Sequence, residues 1–228
     1  MGKIFSLTKR VVPERIKAPI RRFLRRRQII TWEMLAFNRN AAASFNVQPN
    51  IHAGDFMYWF FVTNFSPLEA AIHRYFERGL YSAKMLNATC TSLGYSEKQI
   101  KLLEFASGFG RVSRHLKKNS QFDLTACDIH PAAVEFLSRE FGIKAISSTH
   151  SPDNFSVSET FDITFALSFF THLPRETFGP WLRALFGTLA SPGYLIFTTD
   201  GVAAHKQMGE PPLSDDGFFM SLGANKRI

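Results

Sequence analysis

The sequence predicts an α/β fold: a doubly wound, mostly parallel sheet with helices on both faces and a helical N-terminal extension. Three observations predict it. Short apolar runs alternate with helix-like stretches from residue 101 onward, the pattern of parallel strands joined by crossovers. One run, Phe161–Leu167, is apolar along its length, as a central strand covered on both faces must be. The 228 residues suffice for one such domain plus an appendage, and 45% hydrophobic with 20% charged residues is an ordinary soluble composition.

Residues 1–30 form a basic arm. They hold ten Lys/Arg and one acid, Glu14, a net +9. The whole chain carries +8, so residues 31–228 sum to −1. The basic character belongs to the arm, and nothing marks the folded body as a nucleic-acid surface. After Pro13 and Pro19, the residues Ile16, Ile20, Phe23, Leu24 and Ile30 fall near helical spacing among arginines. That reads as a basic amphipathic helix suited to peripheral contact with an anionic membrane. A solvated arm, or a helix packed on its own domain, is the competing reading.

Residues 31–95 form an N-terminal segment expected to pack on the core. Residues 31–65 are rich in aromatics and Asn, with weak periodicity. Residues 66–93 read as a helix with Ser66 as N-cap, Pro67 at its first position and Gly94 as its stop.

The domain proper, 96–228, is predicted element by element. Strands are expected over Lys101–Phe105, Phe122–Cys127, Ile143–Ser147, Phe161–Leu167 and Tyr194–Thr199. Helices are expected over Gly110–Lys118, Pro131–Phe141 and Arg175–Ala190, the last stopped by Pro192-Gly193. The 28 residues after Asp200 are rich in Gly, Pro and Ser. They predict an incomplete C-terminal sheet edge, as in a fragment or a truncated product, and an exposed edge there would promote association.

In an open α/β sheet, ligands bind beyond the carboxyl ends of the strands near the topological switch point. The first strand there leads into Glu104-Phe-Ala106-Ser107-Gly108-Phe-Gly110. Small residues let the backbone approach a ligand closely. A dinucleotide fingerprint would need Gly-x-Gly-x-x-Gly, and Ser113 occupies the third position. The loop fits the other pattern, an acid followed by small-x-Gly-x-Gly. Asp128 ends the second strand, where a carboxylate can accept both hydroxyls of a ribose. That role is shared by both cofactor classes, so the glycine spacing decides between them.

Three stretches together carry a resemblance. They are Leu102–Leu116, the turn Cys127-Asp128-Ile129-His130-Pro131, and the block from Phe161 through Ser168 and His172 to Pro174. In this order they resemble successive motifs of class I S-adenosylmethionine-dependent methyltransferases, a Rossmann-like family. Trp181–Asp200 is similar to the next segment of that family's chain. The nearest subgroup in appearance is the bacterial methyltransferases encoded with glycan or lipid-glycan assembly enzymes. The resemblance covers about residues 66–200 and implies S-adenosyl-L-methionine as cofactor. It implies that Glu104 holds the cofactor's amino group and that Ala106, Ser107, Gly108 and Gly110 pass beneath its methionine part. Asp128 would bind the ribose, Ile129 would pack on the adenine, and Ser148 and Thr149 would reach the adenine edge. Ser168 would lie near the transferred methyl. Ala106 departs from the family's usual glycine and requires a negative φ. The usual acid of the adenine loop has no clear counterpart, since Asp153 lies late for it.

Other candidates carry two readings each. His172 suits a general base for a hydroxyl acceptor, or a structural histidine that caps the next helix. Asp200 and His205 fall where acceptor-binding loops occur. Tyr75, Phe76 and Arg78 suit a lid on the cofactor, or, for the two aromatics, the apolar face of a packed helix. The cluster Phe56–Phe61 suits an acceptor pocket or membrane-facing patch, or plain packing. His115 and His130 are too scattered for a metal site, and no metal is expected.

Cys90 and Cys127 form no disulfide framework and suit a reducing, cytoplasmic location, peripheral at the inner membrane if the arm binds lipid. The longest apolar run, Phe56–Val62, is far short of the about 20 residues a spanning helix needs. The functional expectation is methyl transfer to an unidentified acceptor, with a sugar, lipid-linked or small-molecule hydroxyl favoured. The alternative is a non-catalytic binding protein for S-adenosylmethionine or a nucleotide, tethered by its arm to membrane or nucleic acid.

Overall fold

The computed structural model describes residues 25, 27–95 and 98–201. The arm before Arg25, the residues after Gly201 and with them His205 and the expected incomplete edge lie outside the described residues. The chain divides into two compact units, residues 1–77 and 78–228.

The first unit holds two helices that the weak periodicity of 31–65 conceals. Helix α1 is Trp32–Phe45. Thr31 caps it by accepting from the Met34 N–H, and Asn46 closes it in the left-handed region at φ 51°. Helix α2 is Phe56–Asn64, capped by Asp55, whose Oδ1 accepts from the Tyr58 N–H at 2.9 Å. Its sequence FMYWFFVTN is apolar on nearly every side, so no stripe marks it as helical. Helix α3, Leu68–Ser92, starts one residue later than expected, with the Pro67 carbonyl accepting from the Ala71 N–H. Its end is as expected: Gly94 takes φ 88° and the Tyr95 N–H reaches back to the Cys90 carbonyl.

The core of the first unit joins Met34, Tyr58, Trp59, Phe61, Ile72, Tyr75 and Phe76. Tyr75 and Phe76 are therefore core residues and form no lid. Arg78 is exposed. The cluster 56–61 is split in the same way: Tyr58, Trp59 and Phe61 are buried, while Phe56 and Phe60 face outward.

The second unit is a five-stranded sheet with all neighbours parallel, in the order β3-β2-β1-β4-β5. The strands are β1 Ile100–Phe105, β2 Phe122–Asp128, β3 Lys144–Ser147, β4 Phe161–Ala166 and β5 Leu189–Phe197. Helix α4 is Ser113–Leu116, α5 is Pro131–Phe141 and α6 is Arg175–Phe186. Alternation along β1 splits the core. Ile100 and Leu102 face Leu86 and Cys90 of α3 and Phe136 and Leu137 of α5. Leu103 and Phe105 face Trp181 and Leu185 of α6. Helices thus cover both faces, and the predicted doubly wound fold is the observed one. β4 lies between β1 and β5, as its apolar sequence required.

Three expectations are corrected. The helix expected over Gly110–Lys118 is a single turn, because Gly110 at φ 79° cannot be helical and tight turns continue to Val112. The dipole such a helix would offer an anion is correspondingly small. Helix α6 ends at Phe186, where Thr188 Oγ1 donates to the Leu185 carbonyl at 2.7 Å. Pro192-Gly193 therefore stops no helix. It lies within β5, where the register slips from Phe161↔Leu189 to Ile163↔Tyr194 and the extra residues bulge outward. Among the described residues no helix is long and apolar enough to cross a membrane.

Candidate functional site

The connection from β3 to β4 crosses over β1, so the switch point lies between β1 and β4. Glu104 is the last residue but one of β1, and its loop runs from Ala106 to Gly110. Alternating strand geometry turns Glu104 to the α4 side of the sheet. There it is 3% exposed, and its Oε2 has no hydrogen-bond partner among the described residues. Burial raises its carboxyl from 4.5 to about 7. The nearby Ser113 hydroxyl and the Arg111 charge moderate the rise, and the Asp128 charge adds to it. Ser113 Oγ is itself without a partner, so it approaches the carboxyl without closing a bond of good geometry.

The loop is wound by three left-handed residues: Ala106 at φ 56°, Gly108 at φ 56° and Gly110 at φ 79°. Ala106 thus violates the expected negative φ. An L-residue with a Cβ loses roughly 1–2 kcal/mol in this region, and the turn imposes it. The two glycines serve different ends. A Cβ on Gly110 would lie 2.5 Å from a Phe141 ring carbon and 2.6 Å from a Leu137 methyl, so this glycine seats the loop on α5. A Cβ on Gly108 would meet no atom within 4 Å. Gly108 is where a ligand can approach the backbone.

Ser107 faces the protein: its N–H and its hydroxyl both donate to the Cys127 carbonyl, at 3.1 and 3.2 Å. Asp128 is 5% exposed. Its Oδ2 accepts from the Gly108 N–H at 2.7 Å and its Oδ1 from the His130 N–H at 2.9 Å. One carboxylate thereby pins the glycine loop to the turn after β2, and each oxygen keeps a lone pair for a further donor. Ile129 is half-buried beside it, and so are Ser148 and Thr149 beyond β3. The Ser148 N–H donates to the Asp128 carbonyl at 2.8 Å, which brings the β3 loop to the same rim. Asp153 is exposed on a short 3₁₀ turn.

Ser168, just past β4, takes φ 57°. Its N–H donates to Thr198 Oγ1 at 2.8 Å, and its carbonyl accepts from Thr171 Oγ1 at 2.9 Å. His172 is exposed at the end of the 3₁₀ turn Phe170–His172. It does not cap the next helix, since the N-cap of α6 is Pro174 and no side chain bonds there. Asp200 is exposed.

Two contributors lie outside the residues singled out from sequence. A Cβ on Gly79 of α3 would lie 2.1 Å from the Arg111 carbonyl oxygen, so Gly79 lets the helix press on the segment below Glu104. Thr198 holds the strained Ser168. The signal for Gly79 was an isolated glycine inside a helical pattern; Thr198 offered none. His115 is buried and His130 exposed. Among the described residues no group of His, Cys, Asp and Glu has the arrangement of a metal site.

No family model matches the chain, and no curated protein matches it significantly in sequence. Solved structures do match its fold, among them several S-adenosylmethionine-dependent methyltransferases. One, from Clostridium acetobutylicum, is 16% identical with a TM-score of 0.46 over 55% of this chain and 52% of its own. The glycopeptide N-methyltransferase MtfA is 14% identical, with a TM-score of 0.45 over 52% of each chain. Coclaurine N-methyltransferase, solved with N-methylheliamine and S-adenosylhomocysteine, is 16% identical with a TM-score of 0.44 over 82% of this chain and 58% of its own. The match spans just over half the length of these proteins.

Proposed function

We propose that this chain binds S-adenosyl-L-methionine at the Glu104–Gly110 loop and transfers its methyl group to an acceptor. The observation that carries the reading is Glu104. A carboxyl that is buried, with one oxygen unpartnered, and raised toward neutrality is costly to maintain. It suits a site completed by a cationic donor, and the cofactor's ammonium is such a donor. Gly108 admits the methionine part along the backbone. Asp128, already accepting from the Gly108 and His130 N–H groups, has lone pairs left for the ribose hydroxyls. Ile129 offers an apolar surface to the adenine.

When bound, the cofactor supplies a methyl on a sulfonium. The acceptor's lone pair forms the new bond as the sulfur–carbon bond breaks, and the sulfur leaves neutral. The protein's part is to align the two and exclude water. A hydroxyl of a sugar, lipid-linked or small-molecule acceptor also has to lose a proton, and His172, exposed beyond β4 near Ser168, is the candidate base.

The alternative is binding without transfer. Calorimetric titration with S-adenosylmethionine, its demethylated product and NAD tests the cofactor, and incorporation of labelled methyl tests the transfer. Heat with the first two and none with NAD supports the reading. Silence with all three overturns it, and binding without incorporation into hydroxyl acceptors favours the alternative.

A further inference from the structure

The first unit carries a surface that the cofactor site does not use. Trp32 is 84% exposed, Phe56 51%, Ile29 45% and Phe60 38%. Phe56 and Phe60 are one turn apart on α2 and project from the same face. The Arg25 guanidinium lies 5.0 Å above the Phe56 ring. That contact brings the end of the basic segment against α2. Six residues of chain lie between Arg25 and Trp32, a span of at most about 25 Å. The Arg25 guanidinium thus lies against one exposed aromatic, Phe56, with exposed Ile29 and Trp32 within a few residues of it in the chain, and the ten Lys/Arg of residues 1–30 are continuous with it.

We propose that this surface, formed by Ile29, Trp32, Phe56 and Phe60 with Arg25 and Arg27 beside them, docks on an anionic phospholipid bilayer. The charge is complementary to lipid phosphates and carboxylates, and tryptophan and phenylalanine are suited to the headgroup boundary. Nucleic acid would reward the charge but has no use for Ile29. A second copy of the chain would bring the same positive arm and repel. The inference does not depend on the cofactor reading.

Tryptophan fluorescence reads this surface selectively, because Trp59 and Trp181 are 2% and 5% exposed. The full chain is titrated with phosphatidylcholine vesicles, with and without phosphatidylglycerol, and binding is followed by co-sedimentation and emission. The expected result is binding to the anionic vesicles alone, weakened by salt, with a blue shift from Trp32. The paired change Trp32→Ser and Phe56→Ser removes the shift and lowers the partition about tenfold or more through lost apolar burial. Both sites are exposed, so its melting temperature stays that of the parent. Binding to anionic vesicles with no blue shift, and unaffected by the substitutions, overturns the proposal. So does the absence of vesicle binding, whether the protein instead binds duplex nucleic acid, self-associates or does neither.

Discussion

Glu104→Gln should make the ligand-free protein more stable and the cofactor site worse. The folded carboxyl titrates near 7 rather than 4.5. Between those values the folded protein keeps a proton that the unfolded chain has released. Stability therefore falls as pH rises through that window, and the full cost is present above pH 7. The rise from 4.5 to about 7, at about 1.4 kcal/mol per pH unit, amounts to about 3 kcal/mol. Glutamine never ionises, and its amide can donate to the unpartnered Ser113 Oγ. At pH 8 the variant should thus melt roughly 6–12 °C higher, at 2–4 °C per kcal/mol for a chain of this size. Below pH 4.5 both proteins hold a neutral side chain and the gain should vanish. Melts followed by circular dichroism across this range read the effect. A gain that is equal at both ends of the range, or no gain at pH 8, refutes the argument that a buried, proton-retaining carboxyl sits at Glu104.

Three further substitutions test the loop. Ala106→Gly removes a Cβ from a residue at φ 56°; relief of about 1–2 kcal/mol, less the entropy of a freer unfolded chain, predicts a gain of about 0.5–1 kcal/mol in urea denaturation. A loss would show that Ala106 does not hold the left-handed conformation. Gly110→Ala puts a methyl within 2.6 Å of Leu137 and Phe141 and should destabilise by about 1–3 kcal/mol, so an unchanged urea midpoint would contradict the packing. Gly79→Ala would gain about 1 kcal/mol in an isolated helix. Here it should be a net loss on thermal melting, because the methyl meets the Arg111 carbonyl, which is backbone and cannot swing aside.

Much of the second unit was legible in sequence because its signals are local. Helix α5 matches Pro131–Phe141, since Pro131 opens it and Gly142 closes it at φ 57°. β4 was legible from a run of apolar residues alone. The first unit was not, because α2 is apolar nearly all round and leaves periodicity nothing to detect; Asp55 before that run was the usable cap signal. At the site, the acid and glycine spacing marked the loop. It could not show that Asp128 bonds Gly108, twenty residues earlier, or that Glu104 Oε2 lacks a partner. Those facts arise from register between strands. The shortness of α4 is not legible in sequence, because nothing local shows that Gly110 takes φ 79°.

The most direct test of the account is calorimetric titration of S-adenosylmethionine into the native protein and Glu104→Gln side by side at pH 8. Saturable binding to the native protein is expected and, with the charged partner of the ammonium gone, affinity at least about tenfold lower in the variant, on the scale of one charged hydrogen bond. Equal affinity in the two proteins, or no binding to the native one, would contradict it.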